Sequence, residues 1–403
     1  MNKFYYLYIS QLFSVVGDGF FRISLIFLTL NNGGVKLLAQ VFAIQAVIIA
    51  ITVLFSGILN KYLMPKSIVI ISSILRATTC IYMILLISLD LHSNYLYFII
   101  GIIFGMSDSL YRPNYVSILK FNVTLHKYDK QVGLLTSSRQ LLNILTPMLA
   151  AFVYDSFNNF ILLIISTILF LLSAFFSVYL KDFSGQKISI SKNILKEMIY
   201  EIKKGFIYIF NNNWLKIGML ISILVIPFQQ ALSNVVVPVF ATTLNNNAIS
   251  YSSILTSYAI GAMLAGLLFG KIGKFVNSII KAFLVILIAY LVYSFSGLVH
   301  SIVTASAISF IVGGLIQIYN ISWEKFTIQY VKEEYIGNIS SVSWFIFSSF
   351  SPIMIALVGY LIDILNVRMV IVIIPLIICV SILIITITFY KKLTLGDLQD
   401  EKN

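Results

Sequence analysis

Long apolar runs, each ended by a short polar turn, make up most of the chain. Runs of 18 or more apolar residues are long enough to cross a bilayer as helices, which takes about 20 residues. The pattern predicts about 12 spans, six on each side of a polar segment at 181–213. The predicted spans lie near 4–30, 37–59, 67–89, 94–119, 132–156, 158–180, 214–239, 249–270, 277–299, 302–323, 337–362 and 367–390.

The polar segment between the two groups carries a helical pattern of its own. Apolar residues recur at helical spacing from Ile194 to Ile202, while lysines face the other way. This pattern predicts an amphipathic helix on the cytoplasmic membrane surface. The predicted organisation is an N-terminal six-helix bundle at 1–180, a linker at 181–213, a C-terminal six-helix bundle at 214–390 and a cytoplasmic tail at 391–403.

The two halves also resemble each other weakly. A shift of 205 residues places RQLLNILTPMLAAFV over WFIFSSFSPIMIALV, with Pro147 on Pro352 and Ala151 on Ala356. Together with the layout of six spans plus six, this match predicts two duplicated, pseudo-symmetric halves around a site at mid-membrane depth. The predicted fold class is therefore an all-α membrane protein of two six-helix bundles.

Composition agrees with a membrane protein and excludes several other classes. Charged residues make up 10% of the chain and hydrophobic residues 59%, whereas a soluble domain averages about 25% charged. Cys80 and Cys379 lie in apolar runs without metal-ligand spacing, so we expect no metal site and no cofactor. The three histidines lack a catalytic constellation, and no phosphate-binding loop is present. We expect a protein that is not an enzyme.

The basic residues predict the orientation of the chain in the plasma membrane. If the N-terminus is inside, the lysines of the predicted loops fall on one side, and only Lys36 and Arg368 fall on the other. Such a bias indicates that both termini are cytoplasmic. It also accounts for most of the net charge of +12, so no nucleic-acid partner is expected.

Charged residues inside the spans are the main candidates for function. In SQLFSVVGDGFFRISLIF the residues Gln11, Ser14, Asp18 and Arg22 lie on one helical face. An ionised group at the membrane centre costs at least about 2.5–3.5 kcal/mol, so this face should contact protein or water. Similar faces hold Ser72, Arg76 and Thr79; Asp108, Tyr111, Arg112 and Tyr115; and Thr136, Gln140, Asn143 and Pro147, with Arg139 adjacent.

The second half has polar faces that are almost uncharged. They hold Gln229, Gln230, Ser233 and Asn234 in one span, and Ser309, Gly313, Gln317, Asn320 and Glu324 in another. The residues expected to line a substrate cavity are Gln11, Ser14, Tyr111, Gln140, Asn143, Gln229, Gln230, Asn234, Gln317 and Asn320.

Asp18 and Asp108 are the candidates for proton coupling, because they are the only carboxylates predicted near mid-depth. Burial raises the proton affinity of a carboxyl group and a neighbouring arginine lowers it, so a carboxylate whose arginine partner moves would bind and release a proton. The candidates for ion pairing or anion binding are Arg22, Arg76, Arg112 and Arg139. The sequence leaves open whether Asp108 pairs with Arg76, Arg112 or Arg139, and whether the charges only lock helices together or line a wet cavity.

The chain resembles the major facilitator superfamily, and within it the branch of macrolide-efflux and enterobactin-exporter-like proton antiporters. The motifs that carry the resemblance are SQLFSVVGDGFFRISL, LRATT, SLYRPNYVSIL, SSRQLLNILTPMLAA, NILKEMIYEIKKGFIYIFNNNWLKIGML and EEYIGNISSV. The resemblance implies the major facilitator fold, alternating access and proton antiport. It also implies gating or motif roles for Gly57, Lys66, Pro113, Pro147, Gly266, Gly273 and Lys274.

Several motif positions depart from the family pattern. In SGILNKYLMPKS, Lys61 stands where the family has an Asp and Met64 where it has a Gly. In the second copy, Gly270 replaces the Asp, and around Pro147 the glycines are replaced by Thr146, Ala150 and Ala151. These departures bear on the gating latch more than on the transport class.

We therefore expect a proton-coupled exporter of an amphipathic organic molecule, with the proton as the coupling ion and the chain acting as a monomer. The cargo is a drug or macrolide, as in multidrug resistance, or an anionic metabolite such as a siderophore. The four arginines favour an anionic cargo, and the 31 Phe and 23 Tyr favour an aromatic-lined pocket. Import of an organic anion, and a receptor or scaffold without transport, are the alternatives.

Overall fold

The computed structural model describes residues 3–62, 64–91, 93–122, 128–181, 194–244, 248–272, 275–331 and 333–390. The regular elements in these ranges are helices. They are α1 (Lys3–Tyr62), α2 (Pro65–Ser88), α3 (Asn94–Asn122), α4 (Tyr128–Phe157), α5 (Asn159–Val178), α6 (Ile194–Asn211), α7 (Asn213–Ala231), α8 (Val237–Thr242), α9 (Ala248–Ile272), α10 (Ile279–Ser294), α11 (Ile302–Tyr330), α12 (Glu333–Leu365) and α13 (Val367–Thr388).

Nine helices within the described residues are long and apolar enough to cross a membrane. The predicted spans near 94–119 and 132–156 fall in α3 and α4, which lie outside these nine because they are more polar. The spans near 4–30 and 37–59 both fall in α1. The predicted number of 12 spans remains a prediction, although each predicted span coincides with a helical stretch.

A kink at Gly34 joins the two predicted spans of α1. Gly34 has φ 62° and ψ −159°, a conformation that a residue with a Cβ rarely adopts. Just before it, the Asn32 side chain donates a hydrogen bond of 2.8 Å to the Leu28 carbonyl. The backbone at Gly34 is not helical, so the NNGG stretch, predicted as the loop between two spans, separates two helical stretches of α1.

The described helices group into two compact units. The first comprises Met1–Lys192 with Asn247–Ser252, and the second comprises Asn193–Asn246 with Ser253–Asn403. In the first unit, α1 packs against α3, α4 and α5, and α2 packs against α3 and α5. Close approach of α1 to α3 depends on Gly101, where an added Cβ would lie 2.8 Å from the Val41 carbonyl oxygen.

In the second unit, α10 packs against α11 and α13, and α7 packs against α12. The linker helix α6 packs against α7 and α12. A π-helical turn at Leu232–Val236 separates α7 from α8, and a 3-10 turn at Phe295–Leu298 ends α10. Trp323 lies so close to α7 that a Cβ added at Gly218 would meet its ring.

Candidate functional site

The first unit buries a charged cluster formed by three helices. Arg76 of α2 is 0% exposed. Its Nη1 lies 3.1 Å from Asp18 Oδ1 of α1, and its Nη2 lies 3.1 Å from Asp108 Oδ1 of α3. One guanidinium therefore binds two carboxylates that come from different helices.

Small residues and one hydrogen bond place these helices at the distance that the cluster needs. Ser72, one turn before Arg76, donates its hydroxyl to the Ser107 carbonyl at 2.6 Å and so ties α2 to α3. Gly17 and Gly19 flank Asp18 in the stretch GDG, and an added Cβ would meet Phe170 of α5 or Thr146 of α4. The two glycines thus let α1 approach α4 and α5 closely.

Aromatic rings and one hydroxyl complete the surroundings of Arg76. Its Nη1 also donates to Ser14 Oγ at 3.0 Å. The Tyr111 ring centroid lies 4.4 Å from the guanidinium carbon, and those of Phe104 and Phe170 lie at 5.8 Å. Cation–π contacts of this kind gain strength where water is excluded. The Nε atom has no hydrogen-bond partner among the described residues.

The two carboxylates differ in exposure. The Asp18 side chain is 36% exposed and that of Asp108 is 13% exposed. Replacing a buried ion pair by apolar residues is often neutral or stabilising, so a buried cluster of three charges is weak evidence for a purely structural purpose. The cluster is therefore a candidate for function.

The other residues predicted for this site lie at varying distances from the cluster. Gln11 is buried and accepts a hydrogen bond of 3.3 Å from the Tyr111 hydroxyl. Arg22 is half-buried one turn beyond Asp18, whereas Arg139 and Asn143 are exposed on α4. Of the pairings left open for Asp108, the structure shows the one with Arg76. The side chains of Arg112, Pro113 and Gln140 lie outside the described part of the chain.

Two aromatic contacts of the cluster were not predicted from the sequence. Phe104 and Phe170 lie in apolar runs, where nothing distinguishes a ring that covers a cation from one that faces lipid. A buried serine group was also missed, in which Ser10 Oγ lies 3.2 Å from Ser173 Oγ and 2.8 Å from Ser177 Oγ. Spacing of serines at three or four residues is the only signal for such a group.

Three polar residues predicted for the second unit lie in the π-helical turn or directly before it. Gln229 and Gln230 precede the turn, and Asn234, which is buried, lies within it. The Tyr290 hydroxyl donates to the Val225 carbonyl at 3.1 Å. Within the described residues, Gln229 Nε2 has no hydrogen-bond partner. Because π-helical turns occur often at functional sites, this region is a second candidate.

The remaining predicted positions lie on several different helices. Gln317 is half-buried and Asn320 is exposed on α11. Lys66 is half-buried at the start of α2, and Pro147 is half-buried within α4. Gly266 has open space around it. Gly273 and Lys274 lie outside the described residues, and Gly57 belongs to a part of α1 whose side chains are not described.

A metal centre has no candidate among the described residues. No group of three or more His, Cys, Asp and Glu side chains in those ranges could hold a metal ion. The two described cysteines, Cys80 and Cys379, are both buried.

Comparison with known proteins identifies a family and a fold. A family model described as the Major Facilitator Superfamily matches residues 7–354. The nucleoside transporter NupG has a similar structure, with a TM-score of 0.74 and 14% identity over 96% of this chain and 99% of that chain. The sequence has no significant match among curated proteins.

Two solved structures of POT transporters resemble this chain to the same extent. The peptide transporter POT in complex with sulfate has a TM-score of 0.75 and 12% identity, over 97% of this chain and 95% of that chain. A POT family transporter in complex with 5-aminolevulinic acid has a TM-score of 0.73 and 14% identity, over 97% and 96%. At such identities the likeness shows a shared fold and nothing about cargo.

Proposed function

The chain belongs to the Major Facilitator Superfamily, and from this premise we propose that it exports an amphipathic organic molecule in exchange for protons. It is a multi-pass membrane transporter and not an enzyme. The finer elements of the proposal are the coupling ion, the direction and the cargo. Each needs its own support.

Proton coupling is supported by the guanidinium of Arg76 that Asp18 and Asp108 share. An ionised carboxylate at membrane depth is stable only while a cation or water compensates it. A carboxylate that loses its arginine partner in a low-dielectric site gains proton affinity, and it loses that affinity when the partner returns. Two carboxylates on one arginine therefore provide a site where a helix movement and a proton exchange each change the other.

Export and the cargo class are supported by the resemblance to macrolide-efflux and enterobactin-exporter-like proteins. Two six-helix halves that rock against each other would open a path to either side in turn. The cargo we propose is a drug or macrolide, or an anionic metabolite such as a siderophore. The proposal includes a plasma-membrane location, cytoplasmic termini and a monomeric carrier.

A thermal-shift screen identifies the cargo before transport is measured. Purified protein is heated with macrolides, cationic drugs, and organic anions that include catechol siderophores. A ligand that binds only the folded protein raises the unfolding temperature in proportion to the logarithm of its concentration. The class that gives the largest shift is taken forward.

The transport test uses liposomes that contain the purified protein, a pH-sensitive dye and an acidic lumen. We expect the added cargo to enter as protons leave, so that the lumen becomes more alkaline. An Asp18→Asn, Asp108→Asn double variant should lose this proton release. Asp155→Asn removes an exposed carboxylate at the end of α4 and should keep it.

The same measurement separates the alternatives. Cargo that moves with protons in the same direction would replace export by proton-driven import. Cargo uptake without any change of lumen pH would remove proton coupling. If no cargo of any class enters the liposomes, the receptor or scaffold alternative holds.

A further inference from the structure

The two carboxylates that share Arg76 are held in different ways. We propose that Asp18 is the group that takes up and releases the proton, whereas Asp108 stays ionised and keeps Arg76 in place. This inference rests on the proposed function, because it assigns the exchanged proton of that function to one side chain.

The hydrogen bonds of Arg76 make the bond to Asp18 the less costly one to lose. Nη1 donates to both oxygens of Asp18, at 3.1 and 3.2 Å, and also to Ser14 Oγ at 3.0 Å. Nη2 donates to Asp108 at 3.1 Å. When Asp18 leaves, Nη1 keeps Ser14 as its acceptor.

Loss of Asp108 would leave more of the guanidinium without partners. Nε has no partner among the described residues, and the bond from Nη2 to Asp108 is the one that the structure shows for that nitrogen. A buried donor without an acceptor costs about 1–3 kcal/mol, and more for a charged group. Release of Asp108 would create a second such donor on the same cation, whereas release of Asp18 creates none.

The helix that carries Asp108 holds Arg76 by a second contact. Tyr111, three residues after Asp108 on α3, covers the guanidinium with its ring at 4.4 Å. Tyr111 is itself stacked on Tyr115 with centroids 5.8 Å apart. The cation is therefore attached to α3 by an ion pair and a ring, and to α1 by Asp18 and Ser14.

Exposure also favours Asp18 as the exchanging group. Its side chain is 36% exposed and that of Asp108 is 13% exposed. Proton exchange requires contact with water or with a hydrogen-bonded path to it. A carboxylate exposed at this depth is stable only if it faces such a path.

The other groups around Asp18 do not offer a competing proton site. From α2, the Cys80 thiol lies close enough to interact electrostatically with Asp18, and from α3 so does the Tyr111 hydroxyl. A thiol and a phenol ordinarily keep their proton near neutral pH, since their usual pKa values are about 8.5 and 10. Arg22 lies one turn away on α1 itself. At Gly17 and Gly19, the neighbours of Asp18, α5 and α4 place Phe170 and Thr146, neither of which titrates.

Protonation of Asp18 would thus have a defined structural result. A neutral carboxyl group no longer pairs with the guanidinium, so α1 loses its ion pair to α2 while the link from α2 to α3 remains. Protonation of Asp18 would thus weaken the contact of α1 with α2 and leave α2 and α3 joined by their ion pair.

Infrared difference spectroscopy on the full-length purified protein tests the assignment without any cargo. As the pH is lowered, a protonated carboxyl C=O band should appear in the wild type. The other carboxyl groups of the chain also contribute to this band at low pH. We expect one component of it to be lost in Asp18→Asn and retained in Asp108→Asn. Any other pattern, including loss in both variants or in neither, would overturn the proposal.

A second variant covers the case in which Asp108→Asn does not fold. Asp18→Glu keeps an acid at the same position but changes its C=O frequency, so the band should move; an unmoved band would also overturn the assignment. Failure of the proposed function looks different. In that case the band titrates at Asp18, yet the liposomes show no cargo-dependent proton release.

Discussion

At Arg76, a single guanidinium compensates two carboxylates in a place where water is scarce. The side chain is 0% exposed, and three aromatic rings lie within 6 Å of its charge. Desolvation of Arg76 and Asp108 costs several kcal/mol each, and that of the more exposed Asp18 costs less; mutual attraction and hydrogen bonds must offset these costs. Removal of the shared cation should therefore affect both carboxylates at once.

Arg76→Ala should destabilise the protein by about 3–5 kcal/mol, because it leaves Asp18 and Asp108 close together without their common cation. Denaturant or thermal unfolding in detergent measures the effect. Adding Asp108→Asn to Arg76→Ala should restore part of the loss, since one of the two negative charges disappears. Arg139→Ala, at an exposed arginine, serves as the control and should change little. An additive double variant would contradict this account of the cluster.

Tyr111 should stabilise the cluster mainly through its ring. Tyr111→Phe keeps the ring over Arg76 and removes the long hydrogen bond to Gln11, whereas Tyr111→Leu removes both. We expect the Leu variant to be less stable than the Phe variant by about 0.5–2 kcal/mol, the range of cation–π contacts. The difference should shrink in an Arg76→Met background when the same unfolding measurement is repeated. If it persists there, the ring acts by packing alone.

At the scale of the helices, small residues decide how closely neighbours approach. Without a hydrophobic force between helices in lipid, packing depends on close backbone contact. An added Cβ would lie 1.9 Å from the Phe310 carbonyl oxygen at Gly261 and 2.1 Å from the Tyr258 carbonyl oxygen at Gly313. These contacts join α9 to α11 through main-chain atoms. Main-chain atoms cannot relieve a clash by a rotamer change, as a side chain can.

Gly261→Ala should destabilise the second unit by about 1–3 kcal/mol, the usual cost of overpacking. Gly266→Ala provides a matched control in the same helix, because an added Cβ there meets nothing within 4 Å. This control should leave stability unchanged or slightly raised, since Ala favours helix over Gly. Unfolding temperatures of the two variants in detergent check the difference. Equal temperatures would mean that α9 and α11 can move apart freely.

The sequence predicted the positions of the helices better than the details within them. Apolar runs are long and regular, so their location follows directly from the hydrophobic pattern. The break at Gly34 falls in the gap predicted between the spans 4–30 and 37–59. The π-helical turn at Leu232–Val236 was not predicted, because it depends on packing around a few residues. The helical spacing of polar residues selected Asp18, Arg76 and Asp108. It could not show that one arginine binds both carboxylates, since that depends on the relative placement of three helices.

At the scale of the whole molecule, the lysine distribution predicts which side of the membrane each loop faces. Cytoplasmic loops of membrane proteins carry an excess of Lys and Arg. In the predicted orientation, Lys36 lies on the side with few basic residues, whereas Lys181 lies on the side with many. Both are exposed.

Cysteine labelling in intact cells tests this orientation. A membrane-impermeant maleimide should react with Lys36→Cys from outside, and with Lys181→Cys only after the cells are permeabilised. The native Cys80 and Cys379 are buried, so the wild type should give a low background. The reverse labelling pattern would place the termini outside.

The π-helical turn at Leu232–Val236 also affects how its span is read. An α-helix turns by about 100° per residue, and a π-bulge inserts roughly one extra residue into that cycle. A helical wheel that assumes a constant 100° per residue from Asn213 to Thr242 would therefore place the last six residues, Val237–Thr242, on the wrong faces of the helix. The faces of the helix before and after the π-helical turn are offset by about a quarter of a turn. A substitution chosen from a single wheel would therefore point toward an unintended neighbour.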